Sequence, residues 1–133
     1  MESLYRKICY NVRNGAEAKN ENNSLIEEIL AYIEEHYYDM QMSLTVLAEK
    51  FGMSPLQMSN FFKEQTGENY HDYISKLRVR IAKSLLAEGK LTIEEVSRQI
   101  GYGSVITFRR IFKKYEKLTP HIYRQVQTEG NNA

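Results

Sequence analysis

Two short helical patterns joined by a glycine occur twice in this sequence, and this repetition constrains the fold more than any other feature. In the later copy, residues 91–114, Thr92 and Glu95 have the spacing of a capping box, which predicts the start of a helix. Gly101 ends that helix, because glycine turns the chain at no steric cost. Ser104 is placed to cap a second, basic helix with the apolar stripe Phe108, Ile111 and Phe112. The pattern predicts a helix-turn-helix.

Residues 44–66 repeat this unit. At an offset of 49, the first helices and their glycines match as Leu47, Ala48, Phe51 and Gly52 with Val96, Ser97, Ile100 and Gly101. At an offset of 50, the second helices match as Met58, Phe61, Phe62 and Lys63 with Phe108, Ile111, Phe112 and Lys113. Ser43 is placed to cap the earlier unit, and Ser54, Pro55 and Gln57 form a strong start for its second helix. A single corner of this kind is a moderate signal, but two in tandem are hard to attribute to coincidence.

Three further helices complete the prediction. The first runs from a capping box at Ser24 and Glu27 to Tyr37, and a linker helix covers residues 69–88. The linker carries a wide apolar stripe, and Lys76, Arg78, Arg80 and Lys83 are predicted to keep its exposed side basic. A closing helix follows Thr119 and Pro120, with Ile122 and Tyr123 sealing the core. The predicted fold is all-α, with about seven helices in two helix-turn-helix subdomains joined by the long linker helix.

The predicted domain spans residues 24–126. Residues 1–23 combine a short helical pattern of Leu4, Ile8 and Val12 with a polar linker, and residues 127–133 are expected to be a disordered tail. The N-terminal arm is either the end of an upstream sensor domain or a terminus without a role. No apolar run approaches the roughly 20 residues of a membrane span, and the single cysteine, Cys9, fits a reducing cytoplasm.

Charge is distributed unevenly along the chain, although the net charge is only +1. Residues 1–50 hold 5 Lys and Arg against 9 Asp and Glu, a net charge of −4. Residues 51–133 hold 13 Lys and Arg against 8 Asp and Glu, a net charge of +5. Basic charge is therefore concentrated around the predicted helix-turn-helix units, which favours nucleic acid as a partner.

Residues 32–124 resemble the DNA-binding domain of AraC/XylS-type transcription regulators. The resemblance runs through LAEKFGMSPLQMSNFFKEQTG, YHDYISKLRVRIAKSLL and IEEVSRQIGYGSVITFRRIFKKYEKLTPHIYR. It implies a seven-helix, two-lobed domain that places two recognition helices in successive major grooves of double-stranded DNA. It also implies a bacterial transcription regulator, an activator that contacts RNA polymerase as well.

The residues expected to contact bases lie on the second helix of each unit. On the first recognition helix, Leu56, Gln57, Ser59 and Asn60 face outward. Asn and Gln side chains can pair with adenine, and Leu56 could pack on a thymine methyl. On the second, the outward set is Val105, Ile106, Thr107, Arg109 and Arg110. By similarity to the family, the base-facing positions are Leu56, Ser59, Asn60, Ile106, Thr107 and Arg110, with Gln57 close by. Arginine to guanine is the commonest specific contact, which favours Arg110, whereas Ile106 has core packing as its alternative.

Phosphate contacts are expected from Lys63, Arg109, Lys113 and Lys114. Arg78 matches an arginine usual in the linker helix of the family, and we favour a structural role for it, tying the lobes together. Ser97 stands where alanine is usual, and the first recognition helix has no cation before Lys63.

Catalysis finds little support in the sequence, and neither a cofactor nor a metal is predicted. His36, His71 and His121 lie far apart without metal-ligand spacing, and Cys9 has no partner motif. The alternative is a protein-interaction module that contacts RNA polymerase or a sensor domain. Salt dependence separates the two, because DNA binding weakens steeply with salt and an apolar protein interface does not.

Overall fold

The computed structural model describes residues 20–132, which form seven helices and no strand. The helices are α1 (Asn20–His36), α2 (Leu44–Lys50), α3 (Pro55–Thr66), α4 (Tyr70–Glu88), α5 (Ile93–Gln99), α6 (Val105–Glu116) and α7 (Pro120–Asn132). The all-α prediction with two helix-turn-helix units and a long intervening helix is confirmed. The predictions for Leu4, Ile8, Val12 and Cys9 lie outside the described residues.

The first of two compact units comprises residues 20–36 and 42–73 of the described chain. The Ser43 hydroxyl accepts a hydrogen bond from the Val46 amide and caps α2, as predicted. The second helix, α3, begins with a complete capping box between Ser54 and Gln57. Its core side includes the fully buried Phe62, whose ring packs edge-to-face against Tyr73 at 5.3 Å between centroids. The caps set where α2 and α3 begin, and the aromatic contact packs α3 against α4.

The second unit comprises residues 37–41 and 74–132. The predicted capping box of Thr92 and Glu95 starts α5, and the Ser104 hydroxyl accepts from the Thr107 amide at the start of α6. Its core cluster is formed by nine buried side chains from α4, α5, α6 and the turn between the last two: Val79, Ala82, Leu86, Val96, Ile100, Tyr102, Phe108, Ile111 and Phe112. The burial of α6 on one side fixes which of its residues face solvent.

The turns and helix ends repeat as the sequence offset predicts. Gly52 and Gly101 both have positive φ, +70° and +95°. The 12-residue helices α3 and α6 end alike, at Gly67 and Lys117, which are both left-handed and donate backbone hydrogen bonds of 2.8 Å to Lys63 and Lys113. Lys117 is the one non-glycine residue with positive φ among those described. The duplicated sequence therefore produces a duplicated backbone, including one conformation that suits lysine poorly.

Arg78 is buried, so the prediction that it belongs to the exposed basic side of the linker helix is wrong. It is 7% exposed, and its Nε donates to the Tyr37 carbonyl at 2.9 Å while Nη2 donates to the Asp39 carbonyl at 3.2 Å. The guanidinium carbon also lies 5.0 Å from the centre of the Tyr102 ring. A structural role is thus present within the second unit, where Arg78 holds the 37–41 segment against α4.

Three boundary and packing predictions at the ends of the domain differ from the structure. Helix α1 begins at Asn20, so Ser24 lies inside the helix and does not cap it. Ile122 is 44% exposed, whereas Tyr123 packs against the second core as predicted. Helix α7 continues to Asn132, through the segment predicted to be a disordered tail. No strong helix breaker separates Val126 from Glu129, whereas the last turn includes Gly130, which disfavours a helix interior.

Candidate nucleic-acid interface

The exposed side of α3 is a stripe at positions i, i+3, i+4 and i+7. Its members are Leu56, Ser59, Asn60 and Lys63; Ser59 is half-buried and the others are exposed. The opposite side of the helix carries the buried Met58, Phe62 and Gln65. Because residues at these spacings share one helical face, the four side chains form one continuous surface. We call it the α3 stripe.

Gln57 lies beside the α3 stripe but is engaged in the helix cap. Its side-chain oxygen accepts a 3.0 Å hydrogen bond from the Ser54 amide. A bidentate contact with adenine needs both the oxygen and the nitrogen of the carboxamide. The Gln57 oxygen can accept a second hydrogen bond, but the bond to the Ser54 amide fixes its orientation, so its predicted role in base reading is constrained by its role in the cap.

The exposed side of α6 has the same register. The α6 stripe consists of Ile106, Arg109, Arg110 and Lys113, all exposed, and the opposite side carries the buried Phe108, Ile111 and Phe112. Ile106 is 73% exposed, which rules out core packing for it. Val105 corrects the predicted outward set, because it is half-buried and packs against the core cluster. Thr107 is half-buried at the edge of the stripe.

The two stripes differ in charge. Helix α6 presents Arg109, Arg110, Lys113 and Lys114, and its single acidic residue, Glu116, pairs with Lys83 at 3.3 Å. Helix α3 carries one lysine, Lys63, next to an exposed glutamate, Glu64. The positive field that would attract a polyanion is therefore concentrated on α6.

A stack of side chains behind α6 sets the position of this helix, and the sequence analysis did not find it. Tyr102 lies between Arg78 and Phe108, with its ring stacked on that of Phe108 at 6.1 Å. The Ser97 hydroxyl donates to the Tyr102 carbonyl at 3.2 Å, so serine in place of the usual alanine supplies one more hydrogen bond to the turn. Residues 37 and 39, which bind Arg78, are about 40 positions away in sequence, and no local pattern could have indicated them.

Comparison with known proteins agrees with this geometry. Residues 47–126 match a family model described as a helix-turn-helix domain. The chain belongs to the AraC-type helix-turn-helix family. This family consists of transcription regulators and is not a class of enzymes.

Proteins similar to this chain include two from Bacillus subtilis and one from Fusobacterium nucleatum. The chain is 31% identical over 115 residues to the uncharacterised HTH-type transcriptional regulator YtdP of B. subtilis, matching 86% of this chain and 14% of YtdP. It is 35% identical over 95 residues to YobQ of the same species, matching 71% of this chain and 39% of YobQ. The C-terminal domain of the response regulator yesN from F. nucleatum is 39% identical, with a TM-score of 0.75 over 76% of this chain and 98% of that one. The chain thus spans well under half the length of either B. subtilis relative.

One relative was solved with its ligand. The DNA-binding domain of the global transcriptional factor AdpA, in complex with a target DNA, is 26% identical to this chain, with a TM-score of 0.70. The match covers 74% of this chain and 88% of that one.

Three titratable groups of this AraC-type domain, Glu95, Tyr37 and His36, take part in local contacts. The backbone and side chain of Thr92 hydrogen-bond to Glu95 and lower its pKa, and burial raises the pKa of Tyr37. The His36 ring stacks on the Tyr32 ring, and its Nδ1 lies 2.8 Å from the Tyr32 carbonyl oxygen. Within residues 20–132, no three His, Cys, Asp or Glu side chains are grouped so as to hold a metal ion. No helix in this range has the length and apolar character needed to cross a bilayer.

Proposed function

We propose that this chain binds double-stranded DNA sequence-specifically, with α3 and α6 as recognition helices in successive major grooves. The observation that carries the proposal is the equivalence of the α3 and α6 stripes. Each stripe presents hydrogen-bonding or cationic side chains to solvent, on a helix whose opposite face is buried and includes phenylalanine. A major groove admits one α-helix, and the N-terminal residues of a recognition helix contact base edges. The DNA-binding domain of AdpA, which this chain resembles, was solved in complex with a target DNA, and this supports DNA as the ligand of this chain.

Asn60 and Arg110 are the proposed principal base readers. They occupy equivalent positions, 50 residues apart, and both are exposed. Asparagine pairs bidentately with adenine, and arginine pairs bidentately with guanine. The first half of the binding site is therefore proposed to contain an A·T pair read by Asn60, and the second a G·C pair read by Arg110. Ser59 and Thr107 can add hydrogen bonds to neighbouring bases.

Phosphate contacts are proposed for Lys63, Arg109, Lys113 and Lys114. Three of these four residues belong to α6, so α6 supplies most of the DNA affinity that depends on charge. Each neutralised phosphate contributes about −0.9 to the slope of log K against log salt concentration. A steep slope would distinguish this surface from an apolar protein interface, which salt affects little.

The proposal extends to the biological role. An activator that contacts RNA polymerase is what the resemblance to AraC-type regulators implies, and such a regulator acts in the cytoplasm of a bacterium. The yesN relative is a domain of a response regulator, which supports a sensor domain as the partner that controls this one.

Selection from random duplexes tests the proposed DNA binding. The purified chain at low salt should enrich an asymmetric site with two short elements, and Asn60→Ala and Arg110→Ala should each relax specificity at one element. Arg80→Ala is the matched control, because it removes the same charge as Arg110→Ala from an exposed site on α4. Enrichment of no sequence, with equal binding of every duplex, would refute specific recognition by this chain.

A further inference from the structure

We propose that Leu56 and Ile106 each read the 5-methyl group of a thymine, one in each half of the DNA site. This inference rests on the proposed DNA binding and specifies the chemistry that the site recognises. Leu56 is 71% exposed and Ile106 is 73% exposed, more than any other large hydrophobic residue reported as exposed in the described chain. Two large aliphatic side chains are thus kept in water on helices whose buried faces are otherwise well filled.

The two residues are equivalent in the duplicated structure. Each is the second residue of a 12-residue helix, and their numbers differ by 50, the offset that relates the two recognition helices. Each also begins its exposed stripe, which ends seven residues later at Lys63 or Lys113. Both helices therefore present the same order of chemistry: an aliphatic side chain, then hydrogen-bonding or cationic groups, then a lysine.

The length of each stripe and the order of its side chains match the width of a major groove. Seven residues of helix advance about 10 Å, close to the groove width of about 12 Å. With the N-terminal end of the helix against the base edges, the lysine at the far end can reach a phosphate. The aliphatic side chain then meets the groove floor, where the thymine methyl is the apolar group that the bases present.

A protein partner fits the same side chains less well. On their own stripes, Leu56 is followed by Ser59 and Asn60, and Ile106 by Arg109 and Arg110. Neither aliphatic group belongs to an extended apolar stripe of the kind that a protein partner would cover. The cations next to Ile106 instead match the negative charge that surrounds every base edge in DNA.

Deoxyuridine substitution isolates the methyl group. In a duplex recovered by selection, each thymine is replaced in turn by deoxyuridine, which lacks the methyl group and keeps the same hydrogen-bonding atoms, and Kd is measured by fluorescence anisotropy. One position in each half-site should weaken binding about fourfold, the effect of leaving one methyl unburied. Leu56→Ala should abolish the sensitivity at one position and leave the other, and Ile106→Ala should do the reverse. Both replaced side chains are largely exposed, so the melting curves of the variants should match that of the parent protein.

The outcomes separate the two proposals. Tight, selective binding that no deoxyuridine substitution changes would overturn methyl reading and leave DNA recognition standing. Loss of affinity in Leu56→Ala or Ile106→Ala that is equal for thymine and deoxyuridine duplexes would also overturn it. Failure to bind any selected duplex would refute the proposed function itself. DNA affinity unchanged in both variants would assign the exposed aliphatic residues to a protein partner, against this inference.

Discussion

Replacing Gly101 by alanine should destabilise the second unit far more than the equivalent replacement of Gly52 destabilises the first. Both glycines have positive φ, which costs an L-residue about 1–2 kcal/mol. A Cβ at Gly52 meets no atom within 4 Å. A Cβ at Gly101 would lie 2.6 Å from the Tyr37 carbonyl oxygen and 2.9 Å from Nη2 of Arg78.

The cost of the close contacts around Gly101, which adds to the backbone cost, can be calculated from the hydrogen bonds of Arg78. The Tyr37 carbonyl that the new Cβ would displace accepts from Nε of Arg78, and the guanidinium is buried. Losing a hydrogen bond of a charged group costs about 1.5–3 kcal/mol. The free energy of unfolding should therefore fall by about 1–2 kcal/mol in Gly52→Ala and by about 2.5–5 kcal/mol in Gly101→Ala.

Urea unfolding followed by far-UV circular dichroism measures these differences, since the chain has no tryptophan to report by fluorescence. Because the two units need not unfold together, native-state hydrogen exchange should assign each loss to its own unit. Equal losses in the two variants would refute the reasoning, because they would mean that the close packing around Gly101 adds nothing to the backbone cost.

Three further predictions concern the cap, the helix end and the charge. Lys117→Gly should raise the free energy of unfolding by about 1 kcal/mol in urea titrations, because it relieves a left-handed lysine. No gain would mean that the 3.3 Å hydrogen bond from Nζ of Lys117 to the Lys114 carbonyl outweighs the strain. The pKa of Glu95 is lowered in the fold, so its stabilising effect is present above its unfolded pKa and is lost as pH falls through the lower folded pKa. In Glu95→Gln the melting temperature should no longer fall with acid on account of this residue, because glutamine caps without a charge, as Gln57 does in the capping box of α3. A pH profile of the melting temperature identical to that of the parent protein would contradict this. Lys113→Gln should weaken binding of all duplexes alike and reduce the salt slope by about one, whereas a sequence-dependent loss would place Lys113 at a base.

The sequence was sufficient for the features that depend on local chemistry. The caps at Ser43, Ser54, Thr92 and Ser104 all appear where spacing predicted them, because a capping hydroxyl and its amide lie within one turn. The orientation of α3 and α6 also followed from the sequence, because their apolar residues recur at helical spacing and must face a core.

Features that depend on packing between distant segments were not predictable in the same way. The pattern at Ser24 resembles a cap, yet α1 begins four residues earlier and Asn23 is 3% exposed, so tertiary packing extends the helix past the local signal. Arg78 carries a charge, and only its pairing with carbonyls about 40 residues away makes its burial favourable.

The Val105 error, by contrast, was avoidable. Val105 lies three residues before Phe108 and seven before Phe112, so helical geometry alone places it near their buried face. Adjacent residues on a helix point about 100° apart, so the exposed Ile106 and the half-buried Val105 lie on different faces.

The segment 37–41 makes the two units inseparable by simple cutting. It belongs to the second unit, although the helices before and after it in sequence belong to the first. A fragment beginning at Ile74 would keep α4 from its second turn onward, with α5, α6 and α7, but would leave the buried guanidinium of Arg78 without the carbonyls of Tyr37 and Asp39. Hybrid regulators built from this chain should therefore exchange the exposed residues of α3 or α6 between relatives rather than splice whole halves, since the stripes can be changed without removing the contacts that hold the fold together.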